Sequence, residues 1–151
     1  MAGARAKAVW IPPTEAIELL KSFGDRFKDF SVPMLAVAKK IDANVKRNIR
    51  SRGDGSWAPL AESTIKRWGE HQPLRRPRRG VSGGVGMVDQ IYYSVYPFSA
   101  YVIAKAPHAH LHDSTGREGH MPARPFMYIA EAVEPELLNI LIDYLFKEFN
   151  E

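Results

Sequence analysis

Three histidines that alternate along a short segment come closest, by residue type and spacing, to a chemical site. His108, His110 and His112 occupy every second position. This alternation predicts a short strand over 108–112, with all three imidazoles on one face. Imidazole nitrogens bind zinc, and Asp113 follows directly, but the segment lacks the distant ligand and general base that hydrolytic sites add. A polar strand edge or a subunit contact explains the same pattern, so we predict no metal and no cofactor.

The sequence offers no convincing catalytic motif. The chain contains no cysteine, which excludes disulfides, a cysteine-ligated zinc site and thiol catalysis. No glycine-rich loop is followed by the Lys-Ser or Lys-Thr pair that binds nucleotide phosphates. No apolar run approaches the ~20 residues that a membrane-spanning helix needs. We therefore expect a protein that is neither an enzyme nor bound to a membrane.

Charge is distributed unevenly along the 151 residues, although the net charge is only +4. Residues 39–79 contain twelve basic and four acidic residues, a net charge of +8. Residues 126–151 contain one basic and six acidic residues, a net charge of −5. The basic segment is suited to contact with phosphate or with the acidic end of a neighbouring copy. Solvated faces that only keep the protein soluble account for the same distribution.

A segment rich in arginine and glycine lies at the end of the basic region. Residues 70–86 have almost no apolar spacing, which predicts a long mobile loop. The loop contains four arginines: Arg75, Arg76, Arg78 and Arg79. These side chains would contact a nucleic-acid backbone without reading its base sequence, or would face a partner chain. The alternative function that this loop indicates is a nucleic-acid-binding module.

Apolar spacing predicts two helices in the first third of the chain. Residues 1–13 lack periodicity, and we expect them to form an N-terminal arm that orders only against a partner. A first helix begins after Thr14, with apolar residues three and four apart at Ile17, Leu20, Phe23, Phe27 and Phe30. A second helix begins at Ser31, has the apolar face Met34, Val37, Ile41, Val45 and Ile49, and ends at the Gly53-Asp54-Gly55 turn.

The remainder of the chain predicts a small sheet followed by one more helix. β-Branched and aromatic residues indicate strands over 91–96 and 101–104. Prolines favour an extended segment over 121–128 and a last helix that begins near Pro135. The apolar face of that helix is predicted to consist of Leu138, Leu141, Leu145 and Phe149, with Leu137 and Tyr144 beside it. We therefore predict a single α+β domain over 14–151, with N-terminal helices packed on a small, mainly antiparallel sheet and a C-terminal amphipathic helix.

Two motifs together resemble those of the virion morphogenesis (tail completion) family of tailed bacteriophages. Trp57-Ala58-Pro59-Leu60, followed by Thr64, is similar to that family's W-x-P-L-x-x-x-T. The histidine segment, Gly116 and Met121–Phe126 resemble its Y-A-x-x-H-x-x-G followed by I-P-A-R-P-F, although His108 stands where a tyrosine is usual. The motif residues are Trp57, Pro59, Leu60, Thr64, His112, Gly116, Pro122, Arg124, Pro125 and Phe126. The resemblance covers about residues 15 to 150.

The resemblance implies a structural part of a virion, assembled in the host cytoplasm. Such a part forms a homo-oligomeric ring at the head–tail junction or the tail terminus, next to the connector and tail proteins, and is needed for tail completion. Non-specific contact with DNA is compatible with that place.

The motif residues also have expected physical roles. Two prolines would keep the 121–128 segment extended, and Phe126 would anchor it to the core. Arg124 would present a fixed guanidinium to a carboxylate, within the subunit or across an interface. Trp57, Pro59 and Leu60 would form one apolar anchor against the sheet.

Overall fold

Along the described part of the chain, helices precede and follow a strand hairpin. The structure is a computed structural model that describes residues 6–11, 13–14, 17–18, 29–68, 73–74, 86–115 and 121–147. Its elements are strand β1 (Ala6–Trp10), helix α1 (Ser31–Arg50), helix α2 (Glu62–Trp68), a 3₁₀ turn (Met87–Gln90), strands β2 (Ile91–Tyr96) and β3 (Ser99–Ala104), a π-helical turn (Leu111–Thr115) and helix α3 (Glu134–Lys147).

The three strands form one antiparallel sheet in the order β1-β3-β2. Strands β2 and β3 are joined by the two-residue turn Pro97–Phe98, close to the predicted hairpin. The central strand β3 alternates half-buried and buried residues, as expected where one face of a sheet is covered. The N-terminal helix packs on this sheet and the C-terminal helix contacts the N-terminal helix, so the predicted α+β class is confirmed.

Helix α1 follows the predicted amphipathic pattern. The five residues of its expected apolar face, Met34, Val37, Ile41, Val45 and Ile49, are at most 1% exposed. Asp29 accepts a hydrogen bond of 2.8 Å from the backbone N–H of Ser31, where the helix begins. Glycines and polar residues end it after Arg50, at the predicted turn. The spacing of apolar residues was therefore sufficient to place this helix and its buried face.

The contacts of the chain fall into two compact units, each formed by separate stretches of sequence. The first unit contains the described residues within Met1–Lys7, Val45–Tyr92 and Ile103–Tyr128. The second contains the described residues within Ala8–Asn44, Tyr93–Val102 and Ile129–Glu151. In the second unit, Phe30 is fully buried and its ring packs edge-on against Tyr144 of α3, with the centroids 5.4 Å apart.

The segment around the histidines differs from its prediction. The strand expected over 108–112 is wrong, because these residues form a helical turn that continues into the π-helical turn. The backbone N–H of Ala109 donates to the carbonyl of Ala106, and that of Leu111 to the carbonyl of His108. Pro107 precedes the turn, where its fixed φ and missing N–H favour a helical start. Consequently His108 and His112 lie one turn apart, and the three imidazoles do not share a strand face.

Two more predictions are modified at the ends of the chain. Ala6–Trp10, within the expected N-terminal arm, form β1 and pair with β3, so these five residues order against the protein's own sheet. In α3 the core residues are Leu137, Leu141 and Leu145, whereas Leu138 is 40% exposed. The predicted face begins at Leu138, whereas the buried face begins one residue earlier, at Leu137. Phe149 lies outside the described residues.

The predicted first helix is described only at its start. Thr14, Ile17 and Glu18 are helical, and the N–H of Ile17 donates to the carbonyl of Pro13. Leu20, Phe23 and Phe27 lie outside the described residues. Among the helices of the described ranges, none is long and apolar enough to cross a membrane.

Candidate functional site

The two sequence motifs meet in the first unit, around the backbone of residues 124–128. This segment has no helix or strand to pair its peptide groups, and buried peptide groups need hydrogen-bond partners. Side chains from three other parts of the first unit supply several of these bonds. We call this arrangement of Asn48, Trp57, Asp113 and the 124–128 backbone the motif junction.

Asn48 bonds two carbonyl groups of the junction. It is 2% exposed, and its amide nitrogen donates to the carbonyl oxygens of Phe126 and Tyr128, each at 2.9 Å. An amide nitrogen has two N–H donors, so this one side chain satisfies both acceptors. Because Asn48 lies on the buried side of α1, it connects the helix directly to the second motif.

Asp113 bonds the opposite edge of the same backbone. Its Oδ1 atom accepts from the N–H of Phe126 at 2.9 Å and from the N–H of Met127 at 2.8 Å. A carboxylate that accepts backbone N–H groups forms shorter and stronger bonds than a neutral acceptor. The N–H of Arg124 also donates to the carbonyl of His112 at 2.6 Å. The peptide groups of Phe126 are thus held on both sides, which fixes its fully buried ring in the core.

Trp57 connects the first motif to the second. Its indole is mostly buried, and Nε1–H donates to the carbonyl of Pro125 at 3.0 Å. Pro59 is exposed and Leu60 is half-buried. Trp57 therefore acts as the anchor, and the expected three-residue apolar wedge reduces to this one side chain.

The turn before Trp57 has a left-handed backbone. Four consecutive residues have positive φ: Arg52, Gly53, Asp54 and Gly55. The backbone N–H of Trp57 donates to the carbonyl of Arg52 at 3.1 Å, which closes the turn. Side chains with a Cβ rarely adopt this conformation, so glycines are favoured there. The turn aims the indole of Trp57 at the second motif.

We predict that Gly53→Ala destabilises the protein by roughly 3 kcal/mol, the sum of left-handed strain and overpacking. A Cβ at Gly53 would overlap the indole of Trp57, lying 2.6 Å from Cδ1. Gly55→Ala is the matched control, because Gly55 also has positive φ but no atom lies within 4 Å of its Cβ position. We expect Gly55→Ala to destabilise the protein by about 1 kcal/mol, from backbone strain alone. Urea unfolding of both variants measures the difference, and equal losses would contradict the close packing on Trp57.

Arg124 and the histidines form a second feature of the first unit. The Arg124 side chain is 6% exposed, and its Nη2 atom lies 3.4 Å and 3.5 Å from the carbonyls of Ala58 and Pro59. Burial lowers the pKa of this guanidinium. The rings of His108 and His112 lie 5.6 Å apart. Burial, followed by the positive charges of His108 and Arg124, lowers the pKa of His112 to about 4.

The other predicted site residues are dispersed or lie outside the description. Pro122 and Pro125 are exposed, and Thr64 is half-buried on α2. Within the described ranges, no three His, Asp or Glu side chains are placed to hold a metal ion. The predicted loop arginines and the motif glycine lie outside the described residues: Arg75, Arg76, Arg78, Arg79 and Gly116.

Sequence reasoning missed two features. Asn48 was not among the predicted residues, although a polar side chain on the apolar face of α1 is the signal that would have identified it. The segment Gly80–Gly84 also spells Gly-x-Ser-x-Gly, the pattern of a hydrolase nucleophile elbow. That elbow requires a strand before the serine and a helix after it, whereas arginines and prolines precede this one. The segment lies outside the described residues.

The protein is thus a small α+β protein in which side-chain hydrogen bonds to the backbone of residues 124–128 hold the two motifs together. No family model matches the chain, and comparison with curated proteins and with solved structures finds no match. The likeness to the tail completion family therefore depends on the motifs themselves, and membership of that family stays a prediction.

Proposed function

We propose that the protein is a structural subunit of a tailed-phage virion, assembled as a ring at the head–tail junction or the tail terminus and needed for tail completion. It acts without catalysis or a cofactor, and it contacts connector and tail proteins in the virion. The motif resemblance supports this class. The observation that supports assembly is an exposed apolar stripe on α3.

Helix α3 has more apolar surface than its own unit covers. Leu137, Leu141 and Leu145 are buried, but a second row one residue further along is partly exposed. We call this row the α3 stripe: Leu138 is 40% exposed, Ile142 is 39% exposed and Phe146 is 50% exposed. Side chains four residues apart lie in line on a helix. A continuous exposed apolar row of this kind is typical of a protein–protein contact.

Exposed acidic side chains lie on α3 and just before it. Glu131, Glu134, Glu136 and Asp143 are all exposed. One acidic side chain is already used within the chain, because Glu136 forms an ion pair with Lys40 of α1. The others favour a partner surface with positive charge.

The first unit carries a surface of the opposite charge. Its exposed basic residues include Arg47, Arg50, Arg52, Lys66 and Arg67, of which Lys66 forms an ion pair with Glu62. Ile65, on α2 beside two of them, is 38% exposed. A ring requires two different surfaces that meet between successive copies. The α3 stripe of one copy, with the acidic residues of its helix, and this basic surface of the next have the required complementarity.

We predict that Ile142→Ser weakens self-association at least about tenfold, because apolar anchors at the centre of an interface dominate its free energy. The measurement is sedimentation velocity of the full chain over a concentration series. Leu35→Ser on α1 is the matched control, since Leu35 is also 39% exposed but lies outside the stripe. We expect Leu35→Ser to form oligomers of the same size, at the same concentrations, as the unchanged protein.

Salt provides an independent test of the same interface. The electrostatic screening length decreases from about 10 Å at 0.1 M to about 3 Å at 1 M ionic strength, so complementary charges on neighbouring copies lose most of their attraction. We therefore expect smaller oligomers at 1 M NaCl. A protein that sediments only as a monomer at low salt and high concentration would contradict the ring.

The same preparations distinguish the nucleic-acid-binding alternative. Arg75, Arg76, Arg78 and Arg79 are replaced together by Ser, and binding to duplex DNA is measured beside assembly. Phosphate contacts make binding fall steeply with added salt. Loss of DNA binding with intact oligomers would favour a dedicated DNA-binding module over a ring subunit.

A further inference from the structure

Arg124 carries a buried positive charge that lacks a negative partner among the residues that the structure describes. Its Nε atom is buried and has no hydrogen bond. Its two carbonyl contacts, at 3.4 Å and 3.5 Å, lie beyond the usual range for an N–H···O bond. The ion pairs Lys40–Glu136 and Lys66–Glu62 do not involve Arg124. Because buried charges are normally paired, this guanidinium has unused capacity for an anion.

Two histidines extend the same cluster. The Nδ1 atom of His112 is buried and without a hydrogen bond, like the Nε atom of Arg124. His108 is exposed and its ring packs edge-on against His112, so the cluster reaches the surface at His108. Positive charge on His108 or on Arg124 disfavours protonation of His112, which places the three groups within electrostatic range of one another.

The neighbouring carboxylate does not serve this cluster. Asp113 follows His112 in the chain, but its Oδ1 atom is bonded to the N–H groups of Phe126 and Met127. These bonds hold the carboxylate on the backbone of the motif junction. Among the residues that the structure describes, no carboxylate forms an ion pair with Arg124.

We propose that Arg124, His112 and His108 form a binding site for a single carboxylate group of another polypeptide chain. The guanidinium supplies one positive charge and two or more N–H donors. Imidazole nitrogens add hydrogen bonds. The single charge of the guanidinium matches the one negative charge of a carboxylate, whereas a phosphate dianion carries a second negative charge that the guanidinium would leave uncompensated in a largely buried place. The inference concerns the ligand class and is independent of ring assembly.

The test is a titration of the full chain with acetate, followed by NMR of arginine Nε–H and histidine imidazole signals. Sodium chloride at matched ionic strength is the reference. We expect the Arg124 and His112 signals to move and saturate with acetate but not with chloride. Arg124→Gln should abolish saturation, and Arg47→Gln, a change at an exposed arginine, should leave it intact.

A second variant makes the test independent of whether Arg124→Gln folds. His108 is exposed, so His108→Ala is expected to fold and to weaken acetate binding at least threefold. NMR signals that move linearly, and equally in acetate and in chloride, would overturn the site. Acetate binding that is unchanged in His108→Ala would also overturn it. Saturation by inorganic phosphate at lower concentration than by acetate would overturn the assignment to a carboxylate.

Discussion

Asn48→Ala is expected to destabilise the protein by about 2–4 kcal/mol, because it leaves two carbonyl groups without their donors. The amide of Asn48 is buried and bonds the carbonyls of Phe126 and Tyr128, 78 and 80 residues away in sequence. Alanine would otherwise favour the helix, so helix propensity opposes the loss rather than adding to it. The free energy of unfolding, measured in urea, tests the prediction.

Two further variants separate the hydrogen bonds from other effects of the change. Asn139→Ala is the matched control on α3, where the side chain is exposed and we expect a change within about 0.5 kcal/mol. Asn48→Asp keeps the shape but replaces the donor by an oxygen that faces two carbonyls. It should destabilise at least as much as alanine. If Asn48→Ala and Asn139→Ala had equal stability, the role assigned to the amide would be wrong.

The helices and the hairpin were predictable because their signals are local. Apolar residues three and four apart in α1 reflect a buried face that the structure confirms, from Met34 to Ile49. The aromatic and β-branched residues of β2 and β3 likewise occupy the predicted hairpin. Each of these patterns is generated by burial along a single element. Sequence alone therefore gave the α+β class.

The histidine segment shows why a short pattern misleads. Alternation over five residues fits a strand, but one helical turn also accommodates it, and Pro107 favours the helical start. In the structure the small residues Ala106 and Ala109 are buried, so the buried positions follow a spacing of three. A spacing of two and a spacing of three cannot be separated reliably over so few positions.

The motif junction was predictable in its members but not in its bonds. Trp57 and Phe126 were expected to be core residues, and both are buried. The hydrogen bond of Trp57 to Pro125 spans 68 residues, and that of Asp113 to Phe126 spans 13. Such contacts depend on the relative placement of elements, which residue spacing within one element does not encode. The sequence placed Asp113 beside the histidines but did not reveal that it accepts hydrogen bonds from the backbone of Phe126 and Met127.

The rigidity of the junction leads to the second large effect, at Phe126. We expect Phe126→Ala to cost about 4–5 kcal/mol, near the upper end for a buried aromatic ring. The ring is fully buried, and the loss combines the transfer free energy of the ring with the cavity that remains. Backbone collapse would reduce that cavity, but the N–H and carbonyl of Phe126 are bonded to Asp113 and Asn48. The segment is thereby prevented from closing the space.

This reasoning makes a comparative prediction that urea unfolding can check. Phe98→Ala, at a turn residue that is 41% exposed, should cost only about 1 kcal/mol, since a large part of that residue stays in contact with water and the change leaves no closed cavity. In the background of Asn48→Ala, the backbone at Phe126 is freer to move, so Phe126→Ala should cost less there than in the unchanged protein. A difference of 0.5–3 kcal/mol is typical of coupled neighbours. Strict additivity would mean that the hydrogen bonds do not hold the cavity open, because the backbone would then relax equally with or without Asn48.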